Sequence, residues 1–332
     1  MIITRTPFRI SFFGGGTDYP IWYENNGGGA VLSASINKYC YISCRYLPPF
    51  FEHKNRIIWS KIESVKHVDE IQHPSAREVL KFLNIKKGVE IHHDADLPAR
   101  SGLGSSSSFT VGLLHALYAL NGKLVTKEQL ALDAIHVEQE RIKENVGSQD
   151  QTIAAFGGFN KIEFGGAHKI NTSPISLKPK KLKLFNDHLM LFFTGLARNA
   201  SDIAVEQIQN TPHKANELRT MMLMVDEAVN ILGNDKDFDD FGKLLHESWK
   251  LKRSLTSQIS SSFIDDIYEA GRRAGATGGK LLGAGGGGFM LFFVKPELQQ
   301  QVKEKLKDFL YVPFRFENLG SRIIYYAPQE NF

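Results

Sequence analysis

The 332-residue sequence predicts an α+β protein of two domains. Strand and helix patterns are mixed along the chain without the strict alternation typical of a parallel sheet. The length matches roughly two domains of ordinary size. With 42% hydrophobic and 23% charged residues, the composition is that of a globular protein and excludes a disordered chain, a collagen or a coiled-coil rod.

Charge and cysteine content narrow the functional classes. The net charge of +4 comes from 40 basic and 36 acidic residues spread along the chain, which is too weak to indicate nucleic acid and suits a small anionic substrate. Cys40 and Cys44 cannot form a zinc site alone, and we expect reduced packing residues. The first residues lack the apolar run of a signal peptide, and the longest apolar runs have strand length. We therefore expect a cytoplasmic protein with no membrane partner.

Hydrophobic periodicity predicts the elements in order. The expected strands are 5–13, 30–46, 88–95, 188–194, 290–294, 312–316 and 323–327. The expected helices are 75–83, 109–120, one that starts after Thr126, 200–209, 214–232, 237–255, 263–274 and 297–309. A Pro- and Lys-rich stretch, 176–183, indicates a linker, so the predicted domains are 1–183 and 184–332.

The first glycine-rich segment, Gly14–Gly16, follows a strand and precedes Thr17 and Asp18. Glycines there let the backbone turn sharply and let a ligand approach closely. Asp18 is suited to accept hydrogen bonds from sugar hydroxyls. The alternative is a tight turn in which Asp18 caps the helix near Pro20.

The second segment, 97–108, has the physical recipe for an anion site, with glycines, then small hydroxyls, then a helix start. The first-turn N–H groups have no helical partner, and the helix dipole favours negative charge. The alternative is a serine-capped helix, but four serines exceed what capping needs. The sequence is neither a Walker A motif nor a dinucleotide fingerprint.

The third segment, Gly283–Gly288, has five glycines in six positions between two apolar strands. Because glycine weakens strands, the run indicates close passage to a ligand or to another loop. A loose hairpin turn is the alternative.

Two acidic residues complete the candidate site. Glu138 falls on the apolar stripe of its helix with Ala131 and Ala134, where burial demands a partner such as a metal, while Glu140 lies on another face. Asp150, which follows that helix, is the second acidic candidate for the site. Its alternative is a structural role as the N-cap of the next segment, 151–156.

These three glycine-rich motifs, in this order, resemble those of the GHMP kinases, which include galactokinase, homoserine kinase and mevalonate kinase. The resemblance covers the whole chain and is most marked toward the bacterial heptose 7-phosphate kinases. It implies an N-terminal domain similar to the second domain of ribosomal protein S5, a ferredoxin-like C-terminal domain, and an active site between them.

The resemblance also implies residue roles. Asp150 matches the catalytic aspartate, with Arg9 beside the reacting end of the sugar, and Ser106 and Glu138 match the magnesium-binding pair. The residues implied for ATP binding are Pro98, Gly102, Leu103, Gly104, Ser105, Ser106, Ser107 and Ser108. Those expected near the sugar are Gly15, Gly16, Thr17, Asp18, Arg198, Gly285 and Gly286.

Two departures from the family pattern stand out. Galactokinases have Glu-His where this chain has Gly15 and Gly16, which argues against galactose as the substrate. Ser107 replaces a common alanine, and we expect this to change little.

The implied function is ATP- and Mg²⁺-dependent phosphorylation of the anomeric C1 hydroxyl of heptose 7-phosphate, giving a 1,7-bisphosphate for nucleotide-activated heptose synthesis, by a monomer or homodimer. Another sugar 1-kinase, such as a fucokinase-like enzyme, is the same-class alternative. A silent sugar and ATP sensor is the alternative from another class.

The distal phosphate needs basic partners, and the unassigned candidates are Arg5, Arg100, Arg198 and Lys280. Arg198 is the first candidate because it follows a strand end and a glycine, although a solvated surface role is the alternative.

Overall fold

The computed structural model describes residues 1–165, 170–195, 200–234 and 237–328. Within these ranges it has two β-sheets and the helices that cover them, which confirms the α+β class. None of the described helices combines the length and apolar character that a membrane crossing needs.

The strands, numbered in chain order, are β1 (Ile2–Phe13), β2 (Gly29–Tyr46), β3 (Asn55–Ile58), β4 (Ile62–Val65), β5 (Val89–Ala95), β6 (Phe159–Phe164), β7 (Ile170–Pro174), β8 (Leu189–Phe193), β9 (Ala276–Leu281), β10 (Phe289–Val294), β11 (Leu310–Tyr311) and β12 (Arg322–Tyr326). The α-helices are α1 (Pro20–Tyr23), α2 (Pro74–Phe82), α3 (Ser105–Leu120), α4 (Lys127–Ile135), α5 (Gln149–Phe156), α6 (Pro179–Asp187), α7 (Ala200–Asn210), α8 (Ala215–Gly233), α9 (Asp239–Arg253), α10 (Ser262–Arg273) and α11 (Gln299–Lys305). Short 3₁₀ turns occupy Val68–Glu70, Thr211–Lys214 and Pro296–Leu298, and a π-helical segment spans His136–Ile142.

The first sheet has the order β12-β1-β2-β5-β3-β4, and β6 pairs with β2 and β7. The 18-residue β2 holds this sheet together, because it pairs with β1 along most of its length, with β6 through its first residues and with β5 through its last. The second sheet, β11-β8-β10-β9, is antiparallel.

The largest hydrophobic cluster contains residues of both sheets. A cluster of phenylalanines from both halves of the chain contains Phe12, Phe159, Phe185, Phe241, Phe293 and Phe316. The rings of Phe185 and Phe241 lie 4.7 Å apart at an edge-to-face angle of 82°, an arrangement that aromatic pairs favour. Burial of these rings joins β1, the first strand of the chain, to α9 of the second half.

Several sequence predictions need correction. The expected linker at 176–183 is wrong, because α6 begins at Pro179 inside it and buries Phe185. The expected strand at 312–316 is replaced by the short β11 and a single bridge from Phe316 to Ile36. The division after residue 183 stays a prediction, and β12 pairs with β1 rather than with the second sheet.

Candidate active site

Arg9 and Asp150 form a bidentate ion pair at the centre of the candidate site. Arg9 Nε lies 2.7 Å from Asp150 Oδ1 and Nη2 lies 2.8 Å from Oδ2. The remaining guanidinium nitrogen donates to the carbonyl oxygen of Gly102 at 2.7 Å. The Arg9 side chain is 6% exposed, whereas that of Asp150 is 24% exposed. The pair therefore fixes the orientation of the carboxylate while part of it stays exposed to solvent. Each carboxylate oxygen keeps a second lone pair that can accept a proton.

The loop before α3 has the geometry of an anion site. Gly102 and Gly104 have φ values of +81° and +75°, and Gly104 is the N-cap of α3 without any side-chain cap bond. The serine-capped helix considered above is therefore not what forms. The first-turn N–H groups stay free of helical partners, as anion binding requires. Pro98 is exposed at the edge of the loop, and Leu103 is buried with its carbonyl oxygen 3.1 Å from Arg9 N.

The serines of this loop point in different directions. Ser105 Oγ accepts a bond from Arg100 N–H, and Ser108 donates to the carbonyl oxygen of Pro7 at 2.9 Å. Ser106 is exposed. Ser107 is buried and donates to Glu138 Oε2 at 2.8 Å. Ser107 therefore bonds the candidate magnesium-binding glutamate, because its position in α3 faces inward. The expectation that a serine at position 107 changes little did not foresee this contact.

The third glycine-rich segment packs directly against this loop. A Cβ built on Gly283 would lie 2.4 Å from Gly102 Cα, and one on Gly288 would lie 2.3 Å from the carbonyl oxygen of Ser101. Contacts this short leave room only for glycine. Of the two predicted substrate residues here, Gly285 packs on the backbone of Ile259, and Gly286 N–H donates to the Ile259 carbonyl at 2.9 Å. The structure thus shows close passage of one loop over another.

The first glycine-rich segment forms a buried turn. The Thr17 hydroxyl is fully buried and lies 2.8 Å from the Gly14 carbonyl oxygen and 2.9 Å from that of Ala30. Its hydrogen-bonding capacity is used to shape the turn.

Asp18 connects this turn to the segment that carries Asp150. Asp18 Oδ1 accepts a bond from Gly16 N–H at 2.9 Å, and Oδ2 accepts one from Gln149 Nε2 at 3.0 Å. A Cβ on Gly147 would lie 1.9 Å from Oδ2, which requires glycine there. Burial raises the pKa of Asp18, and the nearby charge of Asp150 adds to the rise.

Glu138 is fully buried on the π-helical segment, while Glu140 is exposed, as the predicted helical phase requires. Glu138 Oε2 accepts bonds from Ser107 and from Gln151 Nε2, but Oε1 has no partner among the described residues. Burial raises the pKa of Glu138 to about 7, and the Glu144 carboxylate adds to the rise. An unpaired buried carboxylate oxygen close to the loop before α3 fits a divalent cation. The described residues hold no group of three or more His, Cys, Asp or Glu placed for a metal, so nucleotide phosphates would have to supply other ligands, as is usual for Mg²⁺.

Two buried lysines lie behind the site. The sequence offered Lys280 only as a candidate for the distal phosphate, and it did not indicate Lys252 at all. Lys280 is 3% exposed, and its Nζ donates to the carbonyl oxygen of Phe12 at 2.7 Å. It is therefore not free for a distal phosphate, the role considered for it above. Lys252 is 7% exposed and donates to the carbonyl oxygens of Leu281 and Gly283. Burial lowers the pKa of Lys252 to about 7, and the charge of Arg9 contributes to the decrease. Nothing in its local sequence indicates this position, and Arg198 lies outside the described residues.

Two family models match this chain. The GHMP kinases N terminal domain matches residues 71–158, and the GHMP kinases C terminal domain matches residues 217–312. Together they cover more than half of the chain. The chain therefore belongs to the GHMP kinase family, as the motifs predicted, and it is an ATP-dependent kinase.

Individual relatives agree with this assignment. The chain is 29% identical over 319 residues to D-glycero-alpha-D-manno-heptose 7-phosphate kinase of Campylobacter jejuni, which covers 92% of this chain and 93% of that protein. Its fold is similar to that of a D-glycero-D-manno-heptose 1-phosphate kinase from Bacteroides thetaiotaomicron, with a TM-score of 0.78, 22% identity, and coverage of 98% and 100% of the two chains. Lactococcus lactis galactokinase, in complex with galactose, gives a TM-score of 0.74 at 19% identity, over 97% and 94%.

Proposed function

We propose that this kinase phosphorylates a sugar phosphate at its anomeric hydroxyl, and that the substrate is D-glycero-D-manno-heptose 7-phosphate. The product would be heptose 1,7-bisphosphate, an intermediate toward nucleotide-activated heptose. The observation that carries the kinase chemistry is the Arg9–Asp150 pair, which bonds directly to the phosphate-binding loop through Gly102. The heptose assignment is supported by the similarity to the Campylobacter jejuni enzyme over most of both chains.

The chemistry of the reaction matches the arrangement of the loop and the carboxylate. The bond from the anomeric oxygen to the γ-phosphorus forms as the bond from that phosphorus to the β-γ bridging oxygen breaks, and the hydroxyl proton goes to Asp150. Because phosphoryl transfer depends mainly on positioning and charge stabilisation, the free amides at the start of α3 would bind the ATP phosphates. Arg9 would keep the Asp150 carboxylate turned toward the hydroxyl.

Ser106, Glu138 and the nucleotide phosphates would hold a Mg²⁺ ion, which supplies neutralisation of the negative charge on the transferred group. The unpaired Oε1 of Glu138 supports this placement. Ser107 and Gln151 would hold the other carboxylate oxygen and so fix the orientation of Glu138.

The experiment is turnover of ATP against a panel of sugars. We expect the heptose 7-phosphate to be used far better than the unphosphorylated heptose, and galactose hardly at all. Arg198→Ala should raise KM for the phosphorylated sugar more than KM for ATP, because the distal phosphate brings about two negative charges that need basic partners.

Two results would redirect the proposal. Equal kcat/KM for the sugar with and without its distal phosphate would favour a simpler sugar 1-kinase. The absence of turnover with any sugar, in a protein that binds ATP, would favour a silent sensor, although the intact Arg9–Asp150 pair argues for catalysis.

A further inference from the structure

A carboxamide with free hydrogen-bonding capacity lies beside the first glycine turn. Gln207, on α7, is 6% exposed. Its backbone carbonyl accepts a bond from the Thr211 hydroxyl, but within the described part of the chain its carboxamide makes no hydrogen bond. The residue as a whole is mostly buried, but the polar atoms of its side chain stay accessible to solvent, and a carboxamide offers both donors and an acceptor. This side chain is therefore suited to a ligand.

The position of Gln207 depends on the glycine at position 16. A Cβ built on Gly16 would lie 2.7 Å from Gln207 Nε2 and 2.9 Å from Leu218 Cδ2. The carboxamide thus occupies the space that any side chain at position 16 would need. Gly16 N–H also donates to Asp18 Oδ1 at 2.9 Å, so Gln207 and Asp18 lie on either side of the same glycine.

Other polar atoms around this turn are also unsatisfied. Ser11 Oγ and Gln149 Oε1 are buried and without partners among the described residues. A Cβ on Gly15 would lie 3.9 Å from Ser11 Oγ and 4.0 Å from Gln149 Nε2. A polyhydroxylated ligand, whose hydroxyls both donate and accept, matches such a set of groups.

We propose that Gln207 is a specificity-determining residue whose carboxamide binds ring hydroxyls of the sugar acceptor, and that Gly16 is the residue that makes room for it. This inference rests on the proposed function, which assigns the sugar acceptor. It adds a contact from α7, a helix without any of the three glycine-rich motifs, to the first glycine-rich segment.

The test replaces the carboxamide with an apolar side chain of similar length. Gln207→Met keeps the volume while it removes the donor and the acceptor. We expect KM for the sugar phosphate to rise about tenfold, the usual cost of one hydrogen bond left unmade, while KM for ATP stays unchanged. The matched control is Gln209→Met, since Gln209 is two residues away on the same helix and exposed; its kinetics should equal those of the wild type.

A panel of monodeoxy analogues of the sugar phosphate then identifies the hydroxyl. For one deoxy analogue, the wild-type enzyme should show a kcat/KM lowered about as much as Gln207→Met lowers it for the full sugar. With Gln207→Met, that analogue and the full sugar should have the same kcat/KM. An unchanged sugar KM in Gln207→Met, or an equal rise in both KM values, would overturn the inference while the proposed function stands. A wild-type enzyme that uses no sugar phosphate would instead overturn the proposed function and the inference with it.

Discussion

The buried carboxylate of Glu138 makes the stability of the metal-free enzyme depend on pH. Burial raises its pKa from 4.5 to about 7, so ionisation is penalised in the folded state alone. Its stabilising contribution is complete below pH 4.5 and is lost as the pH rises through 7. Glu138→Gln removes this dependence. The amide oxygen can accept the bonds from Ser107 and Gln151, and the new NH₂ group replaces the oxygen that has no partner.

The size of the effect follows from the difference between the two pKa values. Each pKa unit is worth about 1.4 kcal/mol, so ionised Glu138 costs on the order of 3 kcal/mol at pH 8, most of which develops between pH 5 and pH 7. At about 2 °C per kcal/mol for a chain of this size, Glu138→Gln should melt roughly 6 °C above the wild type at pH 8. At pH 5 the two proteins should melt at nearly the same temperature.

Thermal melts of both proteins across this pH range, in buffer with a chelator, measure the difference. The matched control is Glu140→Gln, an exposed position two residues away, which should show no pH-dependent difference from the wild type. A constant difference in Tm between Glu138→Gln and the wild type from pH 5 to pH 8 would refute the burial argument. Although Glu138→Gln should be the more stable protein at pH 8, it should be the less active one when nucleotide and Mg²⁺ are present. The variant should require more Mg²⁺ and catalyse more slowly.

Asp150→Asn should lower kcat by roughly 10²-fold or more while ATP binding survives; near-normal turnover by a folded variant, measured with the best sugar of the panel, would leave Asp150 only a structural role in the first turn of α5, whose N-cap is Ser148 rather than Asp150. Gly283→Ala should raise KM for ATP by roughly tenfold or more, because its Cβ would push two loops apart. Gly122→Ala is its control, since Gly122 has a similar φ of +67° but nothing within 4 Å; equal effects would show that backbone strain alone matters. Lys252, with its pKa near 7, should take up a fraction of a proton when nucleotide binds at pH 7 without Mg²⁺. Calorimetry in two buffers of different ionisation enthalpy detects this, and uptake that persists in Lys252→Met would contradict the assignment.

The parts of the fold that the sequence predicted are those with strong local signals. The strand at 5–13 and the helix at 109–120 were predicted from neighbouring residues, and both formed, although β1 begins at Ile2 and α3 already begins at Ser105. By contrast, α6 begins in a stretch rich in lysine and proline, and it forms because Phe185 packs into the aromatic cluster far along the chain. A local pattern carries no information on such a tertiary contact.

The candidate site shows the same division. The phase of Glu138 could be predicted because an amphipathic stripe fixes which side chains face inward, and the change to a π-helix comes only at His136. The pairing of Glu138 with Ser107 could not be predicted, because it depends on how α3 and the π-helical segment pack together. Lys252 and Gln207 lie on C-terminal helices with no motif around them, and only the fold brings them to the glycine turns.

Three buried cationic side chains lie where the loops of the site pack against each other. Arg9, Lys252 and Lys280 are all buried. Burial lowers the pKa of both lysines, and repulsion from Arg9 adds to the decrease. Charges in a protein interior are costly unless they are paired, yet both lysines donate to backbone carbonyls rather than to carboxylates. Those carbonyls belong to Phe12 of β1 and to the residues that lead into the third glycine-rich segment. Lys280 therefore joins the second sheet to the first, and Lys252 joins α9 to the third glycine-rich segment, where ATP phosphates would bind. An anionic ligand there would relieve the repulsion, so nucleotide binding should strengthen the same contacts that shape its site.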